Sequence, residues 1–386
     1  MKKLLVLVIA LAIISGAAFA SDNQSAAYVR MLSREAATDA IDIAYFNPAG
    51  TAFLPEGFHV QLNNQTVYLN YEHFSSISGT NYVSENWVPF VPTAFLGYNG
   101  GQWAAFFSFT IPEGGGSLNF KDGAYLLDSS GGGSIEASSA YYGLSLGGSY
   151  RFGSTVSVSA HGTLMLGDDK TTVGLNLTGG VADAKASGIG FGGVFGINYR
   201  PLEELNIAVT VESAQTIEME YTSVTDNDGG TTSGAIAGFG IIEGAKYDVE
   251  RPWRIRTGLS YEFPFGLMIP VSFKYDIYKG IDNSLRNSWS TALAFRYWLN
   301  DSMELSLGGS YDIDEIPDVE NYDPTNPELS SFTIAGGIGW EIIENMQLDI
   351  GVLYPIYFEE SASGLGGFTD MKKQVVNIAL GIGYVF

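Results

Sequence analysis

The chain has 386 residues, no cysteine, and 19 basic against 42 acidic side chains, for a net charge of −23. The missing cysteines exclude disulfide scaffolds, zinc–thiolate centres and cysteine nucleophiles, and the acidic balance argues against nucleic acid or anionic lipid surfaces as partners. The 48 glycines beside 22 tyrosines and 23 phenylalanines argue against disorder and fit an all-β transmembrane antiparallel barrel.

Residues 1–20 (MKKLLVLVIALAIISGAAFA) join Lys2 and Lys3 to an apolar run and end on the small-x-small pattern Ala18-Phe19-Ala20. They read as a secretory signal peptide, removed from the mature chain. Beyond Ala20 no apolar run approaches the roughly 18 residues of a spanning helix, so any membrane crossing falls to strands. Residues 21–56 begin helix-compatible and end in the turn Asn47-Pro48-Ala49-Gly50. Arg30, Arg34, Glu35, Asp39 and Asp42 bar this stretch from a lipid-facing strand. A large barrel encloses more space than its wall side chains fill, and a segment of this size can fold inward as a hatch. Pro48 fixes φ and lacks an N–H while Gly50 permits unusual φ, which suits a sharp bend close to the wall. The plainer alternative is a turn leading into the first strand.

From residue 57 onward the period is two. In 303–312, Met303, Leu305, Leu307 and Tyr311 alternate with Glu304, Ser306, Gly308, Ser310 and Asp312. In 375–386, Val376, Ile378, Leu380, Ile382, Tyr384 and Phe386 share one face and small or polar residues the other. A lipid face and a lumen face produce this pattern. Strands are expected at 57–74, 87–98, 102–111, 138–152, 155–166, 187–200, 205–216, 249–263, 267–279, 287–299, 302–313, 330–343, 346–358 and 373–386. The count of about fourteen is even, as bacterial barrels require. Tight turns near 99–101, 153–154, 201–204, 264–266, 300–301 and 344–345 alternate with long loops near 75–86, 112–137, 167–185, 217–248, 280–286, 314–329 and 359–372. The domains are thus a signal peptide (1–20), a hatch (21–56) and a barrel (57–386).

Three motif matches lack their context. Ser145 in GLSLG (143–147) and the glycines of GIGFGG (188–193) lie inside strands with no following helix. TDNDGG lacks full calcium-loop spacing. His59, His73 and His161 are scattered, so no metal site, cofactor or catalytic residue is expected.

The stretch SREAATDAIDIAYFNPAG, with ERPWRIRTGLSYEF (250–263) and ELSLGGSYDIDEIPD (304–318), resembles the FadL-type family of outer-membrane long-chain fatty acid and hydrocarbon transporters. The resemblance implies a monomeric fourteen-stranded barrel in the Gram-negative outer membrane, with a lumenal hatch carrying an Asn-Pro-Ala motif, here Asn47, Pro48 and Ala49. It implies passive, hatch-gated transport of a fatty acid or hydrocarbon without cofactor or enzyme activity, and a lateral exit through a kinked third strand. The partners would be that ligand, outer-membrane lipid, and the barrel-assembly machinery acting on the C-terminal strand. A carboxylate head group would need lumenal cations, and Arg254, Arg256, Lys274 and Arg296 fall on inward faces. The same cations can instead pair with acids such as Asp276 or Glu304. Gly100 and Gly101, and the glycines of IPEGGG (111–116), bracket the third strand and mark places for a kink. The apolar stretch 234–247 can supply a capture groove or pack on the rim. A general diffusion porin or a structural barrel is the alternative reading.

Overall fold

A computed structural model of the chain describes residues 22–124, 127–128, 131–238, 240–278, 287–313, 329–358, 360–364 and 367–386. The expected signal peptide lies outside them, as does most of the acidic stretch 314–329. Among the described residues, seventeen ladder segments form the fourteen crossings of one closed antiparallel barrel. They are β1 (Gly57–Ser75), β2 (Thr80–Asn99), β3 (Trp103–Phe120), β4 (Gly133–Phe152), β5 (Val156–Leu175) and β6 (Gly180–Leu202). Then follow β7 (Leu205–Glu212) with β8 (Gln215–Asp226), β9 (Lys246–Arg251) with β10 (Trp253–Phe263), β11 (Leu267–Ile277) and β12 (Ser288–Asn300). The last are β13 (Met303–Ile313), β14 (Ser331–Ile343), β15 (Met346–Tyr357) with β16 (Glu360–Gly364), and β17 (Gly367–Val385). β17 pairs back onto β1 from His59↔Val385 to Ser75↔Thr369, which closes the sheet and leaves no edge exposed. Pro252, with no N–H to give a ladder, separates β9 from β10.

Alternation sets the two faces. Leu305, Leu307 and Tyr311 of β13 are exposed, while Glu304, Ser306 and Ser310 between them are buried. Ile350, Val352, Tyr354 and Ile356 of β15 likewise face outward and Asp349 inward. An outward apolar sheath over a polar interior is stable only where lipid replaces water outside. A cation placed in that sheath tests this. Leu307→Arg is expected to cost about 2–4 kcal/mol if the residue lies near the bilayer midplane. Urea titration of the protein refolded into lipid vesicles measures it, and an unchanged midpoint counts against a lipid-facing sheath.

The expected long loops at 75–86 and 167–185 are instead strand. β1 and β2 run on to a turn at 76–79, and β5 and β6 to a turn at 176–179. These extensions carry polar residues such as Asn81, Glu85, Thr172 and Asp183. Stripped of apolar alternation they read as loops, yet backbone pairing continues the ladder beyond any lipid contact.

Residues 22–56 fill the lumen. Ser25 caps the short helix Ala26–Val29, its hydroxyl accepting from the Tyr28 N–H at 3.0 Å. A second helical turn, Ile43–Phe46, leads into a 3₁₀ helix, Pro48–Phe53. The wall meets this plug with glycine. A Cβ on Gly308 would lie 2.1 Å from the Met31 carbonyl oxygen, and one on Gly351 would lie 2.7 Å from the Arg30 nitrogen. Any side chain at either position would push the plug off the wall.

Candidate functional site

The lumen has a polar layer at the tight-turn end and an apolar chamber at the loop end. The turn expected at Asn47-Pro48-Ala49-Gly50 is the start of the 3₁₀ helix, with Pro48 at its first position, where a missing N–H costs nothing. Asn47 is fully buried. Its Nδ2 donates to the Ala37 carbonyl (2.9 Å) and to Asn198 Oδ1 on β6 (2.7 Å). Its Oδ1 accepts from the Gly50 N–H at 3.2 Å. A Cβ at Gly50 would sit 2.5 Å from Asn47 Nδ2, so glycine keeps the Asn47 amide in place. Ser157 of β5 donates to the Ala49 carbonyl (2.6 Å), Thr51 pairs with Ser149 of β4 (2.7 Å), and Asn99 of β2 donates to the Thr51 and Leu54 carbonyls. The motif and the four residues after it are thus bonded to four strands.

The inward cations all engage acids. Arg254 grips Asp276 with two bonds of 2.6 and 2.8 Å. Arg256 donates to Glu212 (3.3 Å), to Asp22 (3.1 Å) and to the Tyr45 hydroxyl (3.2 Å). Lys274 bonds the other Asp22 oxygen at 2.5 Å. Arg296 bridges Glu304 and Asp39, stacked over the Trp298 ring. Arg251, which sequence reasoning did not single out, joins Glu113 and Glu212. Arg30 of the plug reaches Asp349, Ser306 and Glu304. Inside the plug, Arg34 pairs with Asp42 and Asp39. Asp22 and Asp39 therefore clamp the plug to wall cations expected for a ligand head group, and Arg30 clamps it to wall acids. Burial raises the Asp22 carboxyl, but Lys274, Arg256 and Arg254 outweigh it and hold the group well below the usual carboxylate range. Its stabilising contribution is therefore complete above the ordinary value of 3.8 and is lost as the pH falls below it.

Above this layer, Leu69, Val91, Ile111, Phe120, Ile135, Val173, Ile217 and Met219 from six strands belong to one buried apolar cluster. Leu127 and the stretch around the helix Thr231–Ala237 join it from the loops, through Ile236 and Ile241. From the apolar stretch 234–247 only Ile236 and Ile241 are buried among the described residues, while Ile242 and most of the others are exposed. Between chamber and plug lies a cavity of about 20 Å³, lined by Tyr45, Pro112, Ser145, His161, Glu212, Arg251 and Arg256 among others, too small for any hydrocarbon chain. Ser145 Oγ pairs with Thr163 Oγ1 at 2.9 Å, and His161 Nδ1 makes no hydrogen bond.

Gly100 and Gly101 sit in the turn joining β2 to β3, where the ladder is intact from Asn99↔Ala104. The irregular part of β3 comes later. β2 and β3 pair only as far as Ala94↔Phe109, and β3 shifts register against β4 at Thr110/Glu113 and Gly114/Gly116. Past that point the two strands are bridged by side chains, Asn86 to Ser117 and Ser84 to the Asn119 N–H. Pro89 and Pro92 on β2 and Pro112 on β3 cannot donate to a ladder, and strand-internal prolines were the signal that sequence reasoning missed. The plug covers this gap. The Gln24 amide accepts from the Ile111 N–H and donates to the Ile111 carbonyl, both at 2.9 Å, and the Gln24 carbonyl accepts from Thr93 at 2.6 Å. One side-chain amide stands in for a missing strand neighbour.

No protein-family model and no curated protein matches the chain. Solved structures do. A Pseudomonas aeruginosa FadL homologue superposes over 96% of this chain and 100% of its own, at 15% identity and a TM-score of 0.76. The P. putida toluene transporter TodX covers 91% and 96% at 12% identity and 0.64. The Ralstonia pickettii toluene transporter TbuX covers 90% and 94% at 15% identity and 0.61. At these identities the likeness is one of fold.

Proposed function

We propose that this chain, built on the fold of FadL-type channels, passively carries long-chain fatty acids or other hydrophobic compounds across the Gram-negative outer membrane. The observation that carries the reading is a cluster of buried apolar side chains in the lumen, closed at one end by a plug that side-chain bonds, not the strand ladder, hold to the wall. Each buried CH₂ is worth roughly 0.8 kcal/mol, so a dry chamber attracts such ligands and an aqueous pore does not. A general diffusion porin would have an open lumen, and here residues 22–56 lie largely buried within the wall.

The interrupted β2–β3 ladder supports a sideways exit into the bilayer, with Gln24 as its seal and Asn47, Pro48, Ala49 and Gly50 as the anchor of a hatch that must move. Arg254, Arg256, Lys274 and Arg296 then act as hatch clamps before they act on any head group. The chain would work as a monomer, with its C-terminal strand read by the assembly machinery.

Expression in a Gram-negative host lacking its own fatty acid channel tests the reading. Uptake of labelled oleate or of toluene should rise, and unchanged uptake of both with the protein folded in the outer membrane would refute it. Gln24→Ala removes two bonds across the gap, each worth about 1 kcal/mol. Several-fold faster uptake of the hydrophobic compound is expected, with no gain in ion conductance. Increased conductance instead would place the route through the hatch rather than between β2 and β3.

A further inference from the structure

The apolar chamber holds one carboxylate that the plug clamps do not use. Asp169 of β5 is 5% exposed. Its Oδ2 accepts from two hydroxyls, Tyr141 at 3.0 Å and Tyr247 at 2.8 Å. Tyr141 belongs to the chamber's buried cluster, and Tyr247 packs on it and lies 5.2 Å from the ring of Tyr221. The other oxygen, Oδ1, is buried without a hydrogen bond. Ser139, the ladder partner of Asp169 on β4, is likewise buried, with no hydrogen bond to its hydroxyl. Two polar atoms on neighbouring strands are thus left open beside an apolar wall, and burying such groups unpaired is costly.

We propose that Asp169 Oδ1 and Ser139 Oγ form a polar subsite that binds the hydroxyl group of a neutral hydrophobic ligand, an aliphatic alcohol or a phenol. The proposal rests on the transport reading above and names its ligand class. A ligand hydroxyl would donate to Asp169 Oδ1 and accept from Ser139, satisfying both atoms while its apolar body stays in the chamber. An alkane satisfies neither. A fatty acid carboxylate brings no donor and sets a like charge against Asp169.

Octane and 1-octanol serve as probes, bound at pH 8 to the purified full-length protein in detergent micelles, with each affinity referenced to partition into protein-free micelles. A hydrogen bond to a charged acceptor corresponds to a preference of about tenfold or more, so octanol should bind at least that much more tightly than octane. Asp169→Asn should remove most of the preference and leave octane unchanged, and Ser139→Ala, which is milder for folding, should lower it several-fold. Octane bound with no preference for octanol, or a preference that survives both substitutions, overturns the proposal and leaves the transport reading standing. Failure of both probes to bind overturns the transport reading and the proposal with it.

Discussion

Deleting residues 39–50 is expected to turn a closed barrel into a conducting one. The stretch supplies Asn47, bonded across to Asn198, and Ala49, whose carbonyl accepts from Ser157. It also supplies Asp42, which holds Arg34 and Ser25 in place. A fourteen-stranded wall cannot fill its own interior, so losing the anchor of the plug leaves a water path. Single-channel conductance in planar bilayers should rise from near zero to a stable open level, and vesicles should leak small sugars. The wall's ladders do not depend on this segment, and a heat-dependent shift on gel electrophoresis checks that the barrel has formed. A folded deletion variant as tight as the parent would mean that something other than the plug closes the lumen. Asn47→Leu offers the same test with less disruption. It removes all three side-chain amide bonds and should give intermittent openings.

The second large effect is expected at Arg30. Arg30→Met strips Asp349 and Ser306 of their plug partner and leaves Glu304 only Arg296. Removing one member of a buried ion network costs about 3–5 kcal/mol, mostly as the penalty of the charge left behind. The cost falls on plug attachment, since the β13–β14–β15 ladders need no side chains. Hydrogen exchange across residues 22–56 should accelerate strongly while the barrel strands stay protected. Arg30→Met combined with Asp349→Asn should recover part of the loss, because the stranded charge is then gone. Exchange rates in the double variant no slower than in the single one would show that the clamp is packing rather than charge.

The barrel was legible because alternation is a local property. The face that Leu305, Leu307 and Ile350 share follows from a period of two in the chain itself, and so did every tight turn from 99–101 to 344–345. Where alternation stops, as beyond Ser75 and Leu166, strand resembles loop, since backbone pairing carries no side-chain signature. Asn47-Pro48-Ala49-Gly50 was visible as a special segment, but its 3₁₀ geometry was not, because that depends on bonds to Asn198, Ser157 and Asn99 far along the chain. Arg254, Arg256, Lys274 and Arg296 could be placed on inward faces by counting, while their partners could not. Asp22 and Asp39 reach them only once residues 22–56 turn back into the barrel.

By itself, then, the amino-acid sequence determined that this chain closes into a membrane-spanning barrel of about fourteen strands with an N-terminal segment too polar for lipid. Residue spacing decides which face each side chain takes, and spacing is written in one dimension. Only the tertiary structure decided that the lumenal cations clamp the plug, that Gln24 takes the place of a strand where β2 and β3 part, and that Asp169 stands open in an apolar chamber. Each of these is a meeting of residues separated by tens to hundreds of positions. Such meetings are set by barrel closure and by how the plug packs within it, and no local pattern encodes them.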